Sequence, residues 1–511
     1  MNDFKTPAWS LYEAGLEYNR RIGFYEIARR NEHFYRGEQW DGVTRDLPRP
    51  VFNVVRRIVD YLVGTLTPEN LSIRYTDERL PYLGSAALRE SVAEGLRLLD
   101  SNAAYRWKTD RMNEVAARVL LNAATTGDGV FYCWWDPSAE TGQPFAGEIR
   151  TEVVDSGCLF VSDVNRADLQ SQDYVILSGR APVADLRREA AAAGLSEKEV
   201  ARIIPDEGDA AIPERAGSDK ATYLLRFFRE NGEVVAEKST RDCVIRRTAT
   251  GLKYYPLAYF NWYPRKGSYH GTSPVSEIIP NQKYVNAAYA LAMKHMTDTA
   301  FSKVVYDRSR IPEWSNEVGE AIAAVGGGNV ADAVSVLGVG QMQEGYLDLI
   351  LNVVNTTKNL LGATDSALGD ERANNTSAIL ALREASMVSL RQVAARFSRC
   401  LGEVAAIWAD LLCACCPPER LLPVLESESG GVSARRLDYR LLSRELLRAA
   451  AECSDTTRFT PSATVTLLGE LLAGGHITVR QYLQHLPEGC IADRDALLGE
   501  LTSEGGEVKH E

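Results

Sequence analysis

No run of about 18 apolar residues occurs in this 511-residue chain, so a membrane-spanning helix is not expected. The opening MNDFKTPAWS lacks the basic-then-apolar pattern of a signal peptide, and secretion by that route is not expected either. A phosphate-cradling loop needs a Lys and a Ser/Thr at fixed offsets from its glycines. The Gly-containing stretch GATDSALGDERANNTS has no Lys, and its Asp365, Asp370 and Glu371 would repel phosphate. Neither His270 nor His295 is accompanied by a nucleophile elbow or a Ser-His-Asp order, so each reads as structural or exposed. The nine cysteines are scattered, which suits free thiols in a reducing compartment. Cys413, Cys415 and Cys416 look like half of a metal cluster, but Cys453, His476 and Cys490 are isolated rather than paired, so small buried thiols are the expectation. No internal repeat of fixed period is visible.

What is present is the composition of an ordinary folded protein, 45% hydrophobic and 25% charged, in a chain long enough for two to four packing units. A net charge of -12 argues against a groove for tight nucleic-acid binding. It permits passing contact, because an acidic wall repels phosphate and prevents sticking.

Along the chain, residues 8 to 36 read as one helix ended by Gly37. The prolines of LPRPVFNVVRRIVDYLVG fix an extended approach to a helix capped by Asn53. A further helical stretch covers about 84 to 125, followed by strands in GDGVFYCWWD and around TEVVDSGCLFVSD. Trp134 and Trp135 could offer a stacking platform for bases, but aromatics in a half-buried strand read first as core. A short helix and a loop are expected over 184 to 218, then a hairpin turning at Asn231-Gly232 and a strand in TGLKYYPLAYFNWYP. Ser273-Pro274 starts a helix that Pro280 should break or kink; Val285, Tyr289, Ala292 and Met296 continue its stripe. A second helix from Gly345 carries Leu347, Ile350, Val354 and Leu361 on one face. About forty residues separate the two, with strand candidates FSKVVYD and AVSVLGV, a short helix from Trp314 to Val325 and a triple-glycine turn.

The stretch from Gly362 to Leu412 follows, a Gly/Asp/Asn-rich loop feeding one continuous stripe: Leu390, Ala394, Phe397, Leu401, Val404, Trp408 and Leu411, in steps of three and four. A helix of that extent would span on the order of 50 Å. Arg383, Arg391, Arg396 and Arg399 lie along it, with solvation or inter-subunit pairing the default and DNA contact the sharper reading. Pro417-Pro418 stops it. Helices in TPSATVTLLGELLAGG and ITVRQYLQHL, the latter capped by Thr478, complete the chain.

The order of these parts resembles a portal protein of tailed bacteriophages. FYRGEQW with RPVFNVVRRIVDYLVG is similar to that family's opening, and TTGDGVFYCWWD to its Gly-turn-strand unit. The stretch YPLAYFNWYPRKGSYHGTSPVSEIIPNQKYVNAAYA resembles the run joining wing to first stem helix, with a Gly-x-Ser-Pro lead-in, Asn281-Gln282 and Asn286. LLGATDSALGDERANNTSAILALREAS is similar to the family's channel-lining loop and following helix.

The resemblance implies an α+β, mostly helical portal fold: an α/β wing over 1–270, stem helix one over 271–299, a small α/β clip over 300–342 and stem helix two over 343–361. A tunnel loop over 362–376, a long wing helix over 377–416 and C-terminal wing and crown helices over 417–511 complete it. It implies a homo-oligomeric ring, usually of twelve subunits (a dodecamer), at the capsid portal vertex of the virion, assembled in the host cytoplasm. Double-stranded DNA would pass through without sequence preference. The large terminase, the major capsid and scaffolding proteins and a head-tail adaptor would be its partners, with packaging before and genome ejection after tail attachment; no membrane is involved. Thr364, Asp365, Ser366, Asp370, Glu371, Arg372, Asn374 and Asn375 would face DNA from the loop. Val285, Tyr289, Ala292, Met296, Leu347, Ile350 and Val354 would pack the stem; Lys303, Arg308, Arg310 and Trp314 would belong to the clip. No catalytic, cofactor or metal residue is assigned, and the motor's ATP hydrolysis would belong to the partner. The competing classes are a metal-dependent nuclease or other hydrolase using Asp128, Asp155 and Asp163, and another minor capsid or adaptor protein.

Overall fold

The computed structural model describes residues 5–40, 47–68, 71–206, 219–300, 303–315, 317, 321–337, 342, 345–364, 388–425, 431–453, 461–486, 491 and 497. Where one N-terminal helix is expected, two form, α1 (Pro7–Arg21) and α2 (Phe24–Arg36). Gly23 sits between them at φ 68, a left-handed conformation glycine adopts without a Cβ penalty. Gly37 ends α2 as expected: its N–H and that of Glu38 return to the carbonyls of Phe34 and His33. Asn53 caps α3 (Val54–Leu66), its side chain accepting from Arg56 N–H. The stretch from 84 to 125 is likewise two helices, α4 (Ala86–Thr109) and α5 (Met112–Thr126), separated at Arg111 with φ 50.

Between α3 and α4 lies an additional strand, β1 (Leu71–Asp77), with alternating buried and exposed residues. After α5 come β2 (Asp128–Asp136), β3 (Glu148–Val154) and β4 (Leu159–Val161). TEVVDSGCLFVSD thus contributes to two sheets, split at a turn where Asp155 accepts from Gly157 N–H. Then follow β5 (Tyr174–Pro182), α6 (Val183–Ala192), α7 (Glu197–Val200), β6 (Lys220–Glu230), β7 (Glu233–Ser239), β8 (Val244–Leu252) and β9 (Leu257–Asn261). One sheet has the order β3-β2-β9 and another β4-β5-β6-β7-β8. Asn231 and Gly232, both at positive φ, make the expected β6–β7 turn.

The helix pair is α8 (Pro274–Thr299) and α9 (Tyr346–Leu360), bracketing an antiparallel hairpin of β10 (Lys303–Tyr306) with β11 (Val334–Leu337). The long helix, α10 (Arg391–Cys415), has 25 residues, a span of about 37 Å; residues 377–387 lie outside the described ones. Its expected stripe is the spine of the main core. Phe397, Leu401, Val404 and Trp408 are each about 1% exposed, Phe397 meets Phe260 edge-on at 5.2 Å, and the Trp408 indole donates to Thr151 Oγ1 at 3.0 Å.

Asp410, on the same helix, is buried as well. Its Oδ2 accepts from Lys253 N–H at 2.7 Å and Tyr254 N–H at 3.1 Å, and Oδ1 from Arg444 Nε at 2.9 Å. Asp410→Ala should therefore cost about 3–5 kcal/mol in chemical denaturation, because it orphans two backbone donors and a half-buried guanidinium; an unchanged midpoint would contradict this tie.

Beyond the helix the expectation of helices alone over 417–511 needs correction. A hairpin of β12 (Leu421–Leu425) and β13 (Val432–Arg436) comes first, and β14 (Leu447–Cys453) then pairs with β1 across the main core. The expected helices follow at Pro461–Ala473 and Val479–His485, the second capped reciprocally by Thr478 and Gln481. Trp135 packs on the core with the Arg420 guanidinium 5.7 Å from its ring centre, which supports packing over a base-stacking platform.

Candidate functional site

Three of the sequence motifs that carried the resemblance, around Gln39 to Asn53, Gly127 and Ser273 to Asn286, lie far apart in the chain and meet at the base of α8. Ser273 caps that helix through Val275 N–H at 3.0 Å and donates its own hydroxyl to Ala124 O of α5. Pro280 does not break the helix, which runs unbroken from Pro274 to Thr299. The missing proline N–H removes one intrahelical bond, and side chains on the next turn fasten the helix to its surroundings. Asn281 Nδ2 donates to Thr357 Oγ1 of α9 at 3.0 Å. Gln282 Oε1 accepts from Val54 and Val55 N–H, the first turn of α3, at 3.0 and 3.3 Å. Its Nε2 donates to Phe52 O and Asn286 Oδ1, both at 2.9 Å. Asn286 passes the chain to Gln39 at 2.8 Å, and Gln39 to Phe34 O and Asn53 Oδ1. Gln39, Gln282 and Asn286 are all buried, so the network works where a lost partner is expensive.

Beside this network two glycines cross. A Cβ on Gly127 (φ 102) would stand 2.6 Å from Gly271 O, and one on Gly271 would stand 2.7 Å from Gly127 O. The adjacent Asp128 is fully buried. Its Oδ1 accepts from Gly271 N–H at 2.7 Å and Asn261 Nδ2 at 2.8 Å, and its Oδ2 meets His270 Nδ1 at 2.6 Å. His270 Nε2 faces Asn19 Oδ1 at 3.0 Å, and the ring lies between Phe24 and Tyr269 at centroid distances of 4.0 and 3.9 Å. His270 thus joins α1, β2 and the lead-in to α8, the structural role expected of it.

The carboxylates of the hydrolase alternative are engaged in the same way. Asp155 caps its turn, and Asp163 accepts from Asn165. Among the described residues no group of three His, Cys, Asp or Glu side chains could hold a metal ion. Burial pushes the Cys413 thiol up to about 12 and raises those of Cys415 and Cys416, which disfavours the thiolate a ligand or nucleophile needs.

The residues assigned to pack the helix pair divide. Val285, Ala288 and Ile350 form a small buried seam, with Tyr289 and Val354 partly covered against it, and Ala292 is buried. Met296 and Leu347, expected in the same stripe, are instead 58% and 49% exposed, and Leu291 and Leu351 are 54% and 52% exposed. Spacing identifies an apolar stripe but not how much of it a single partner helix covers.

In the insert, Trp314 stacks on Tyr306 at 5.2 Å, Arg310 Nη2 donates to Gly327 O and Asn329 O, and Lys303 and Arg308 are exposed. The described residues between Trp314 and Val325 are not helical. Val325 N–H instead bonds Arg310 O, and three glycines with positive φ follow it. Of the loop residues, Thr364 is half-buried; Asp365, Ser366, Asp370, Glu371, Arg372, Asn374 and Asn375 lie outside the described residues, as does Arg383. Arg396 Nη2 donates to Trp262 O at 2.6 Å, tying α10 to the end of β9, whereas Arg391 and Arg399 are exposed.

A helix pair brackets a two-stranded insert and a long buried helix lies beyond it, and no catalytic constellation comes together among the described residues. Residues 234–431 match the family model described as Phage P22-like portal protein. That match supports a phage portal protein, as the motifs indicate. Comparison with curated proteins gives no match. No described helix is long and apolar enough to cross a membrane.

Proposed function

We propose that the chain forms the portal of a tailed phage, a homo-oligomeric ring at one capsid vertex through which a terminase packages double-stranded DNA and to which an adaptor and tail attach. The observation that carries this reading is the unfinished burial of the helix pair. Two helices of 26 and 15 residues share a seam of three buried side chains, while Leu291, Met296, Leu347 and Leu351 stand about half exposed. Large apolar side chains clustered on one element mark a partner surface, and neighbouring copies around a ring would cover them on every subunit equally.

In this reading α8 and α9 are the stem, residues 300–342 the clip that faces terminase and adaptor, and the body before Gly271 the wing. Residues 362–376 are the tunnel loop, and the chain after α10 leads to the crown. A wall of net negative charge lets a duplex slide rather than stick. Deleting residues 364–374 should leave ring assembly intact while DNA packaging or retention falls at least about tenfold. Collapse of the fold would make the loop structural, and undiminished packaging would remove its proposed role.

A further inference from the structure

A closed ring requires that every subunit present its wing and its stem to its neighbours at one common rotation, about 30° per copy for twelve and about 28° for thirteen. A change of a few degrees between wing and stem is therefore enough to change the number of copies that closes. The place where such a change would occur most easily is Pro280, where α8 lacks one backbone bond. Directly after it stands Gln282, with both its amide hydrogens and both its oxygen lone pairs engaged. Three of those bonds reach α3 and the segment before it and could not survive a rotation or tilt of α8 unchanged; the fourth runs to Asn286 on the same helix.

We propose that Gln282, acting with Asn286 and Gln39, is a positioning residue that sets the direction of the stem against the wing and thereby selects the subunit number of the ring; this deepens the portal reading above and rests on it. Two features make a merely space-filling role inadequate. The Gln282 oxygen accepts from the first two N–H groups of α3, which no intrahelical carbonyl can satisfy, sharing that of Val54 with Phe52 O, so the stem supplies a cap to a wing helix. On the opposite side, Asn281 fastens the same turn to Thr357 of α9. The turn that follows the proline is thus held from the wing and from the second stem helix at once.

The test is to count subunits in rings of the full chain by native mass spectrometry and electron microscopy, for wild type, Gln282→Met and Asn286→Ala. Methionine keeps the size of glutamine and removes all four bonds; the Asn286 change removes the link to Gln39 and leaves the α3 cap in place. Wild type is expected to give one subunit number. Gln282→Met is expected to give a shifted or mixed number, with amide exchange at Val55 at least about tenfold faster. If Gln282→Met does not assemble, Asn286→Ala carries the same expectation for the count, without the exchange change. A single, unaltered subunit number in the variants overturns the proposal, and so does loss of rings from both while wild type assembles, which marks a structural role only. If wild type itself makes no rings, the portal reading falls instead.

Discussion

Glu148→Gln is expected to destabilise the protein by about 3–5 kcal/mol at pH 7, measured by chemical denaturation. Glu148 lies between two guanidinium groups whose side chains are only 3% and 2% exposed, those of Arg106 and Arg420. Arg106 donates to Oε1 and Arg420 to Oε2, the latter at 2.5 Å, while Arg420 also donates to Gly147 O. Arg106 continues to Asn102, which reaches Pro423 O at 2.7 Å, so one carboxylate joins α4, β3 and the hairpin after the long helix. The glutamine keeps the shape and removes the charge. Two buried cations would then face each other, with Asp110, 3.7 Å from Arg106, the remaining ion-pair partner among the described residues.

The same site predicts a pH dependence. Burial raises the Glu148 carboxyl, but the two guanidiniums outweigh it and hold the group below its ordinary value of 4.5. A carboxyl depressed by folding contributes stability that is present above its ordinary value and is lost as pH falls through the lower folded value. Wild type should lose this contribution on acidification below about 4.5, and Glu148→Gln should show a correspondingly shallower acid limb. Parallel acid limbs in the two proteins would contradict the assignment.

Asp128→Ala is the second large effect, about 3–5 kcal/mol. It leaves Gly271 N–H, Asn261 Nδ2 and His270 without their acceptor inside the protein, at the point where the two glycine backbones already touch. Asp128→Asn should cost less, because an amide oxygen can still accept from Gly271. A hydrolase using Asp128 would instead give a folded, inactive variant. Denaturation midpoints separate the two: an Asp128→Ala protein as stable as wild type would contradict the structural role.

Much of the local structure was legible because its causes are local. Asn53, Ser273 and Thr478 announce helix starts through side chains that reach an N–H two or three residues on, and Asn231-Gly232 announces a turn through its positive φ. The long stripe in α10 was legible for the same reason. What escaped depends on distant partners. The strand LSIRYTD pairs with LRAAAEC, whose alanines carry little strand preference, across some 370 residues. Arg111 takes a left-handed conformation without glycine, and Pro280 lies within a helix held from both sides. The candidate site was half legible: resemblance marked Gly127, Gln39, Asn53, Gly271, Gln282 and Asn286 separately, but their convergence needs the folded chain. Spacing also could not divide Val285 and Ile350, which are covered, from Met296 and Leu347, which are exposed.

The proposed cover for that exposed surface is a neighbouring copy, and imaging the purified protein by electron microscopy at micromolar concentration tests it most directly. The account predicts closed rings around an axial hole, with α8 and α9 packed against neighbouring copies so that Met296 and Leu347 are buried between subunits. A monodisperse monomer under every condition tried, or rings that leave those side chains in solvent, would contradict it.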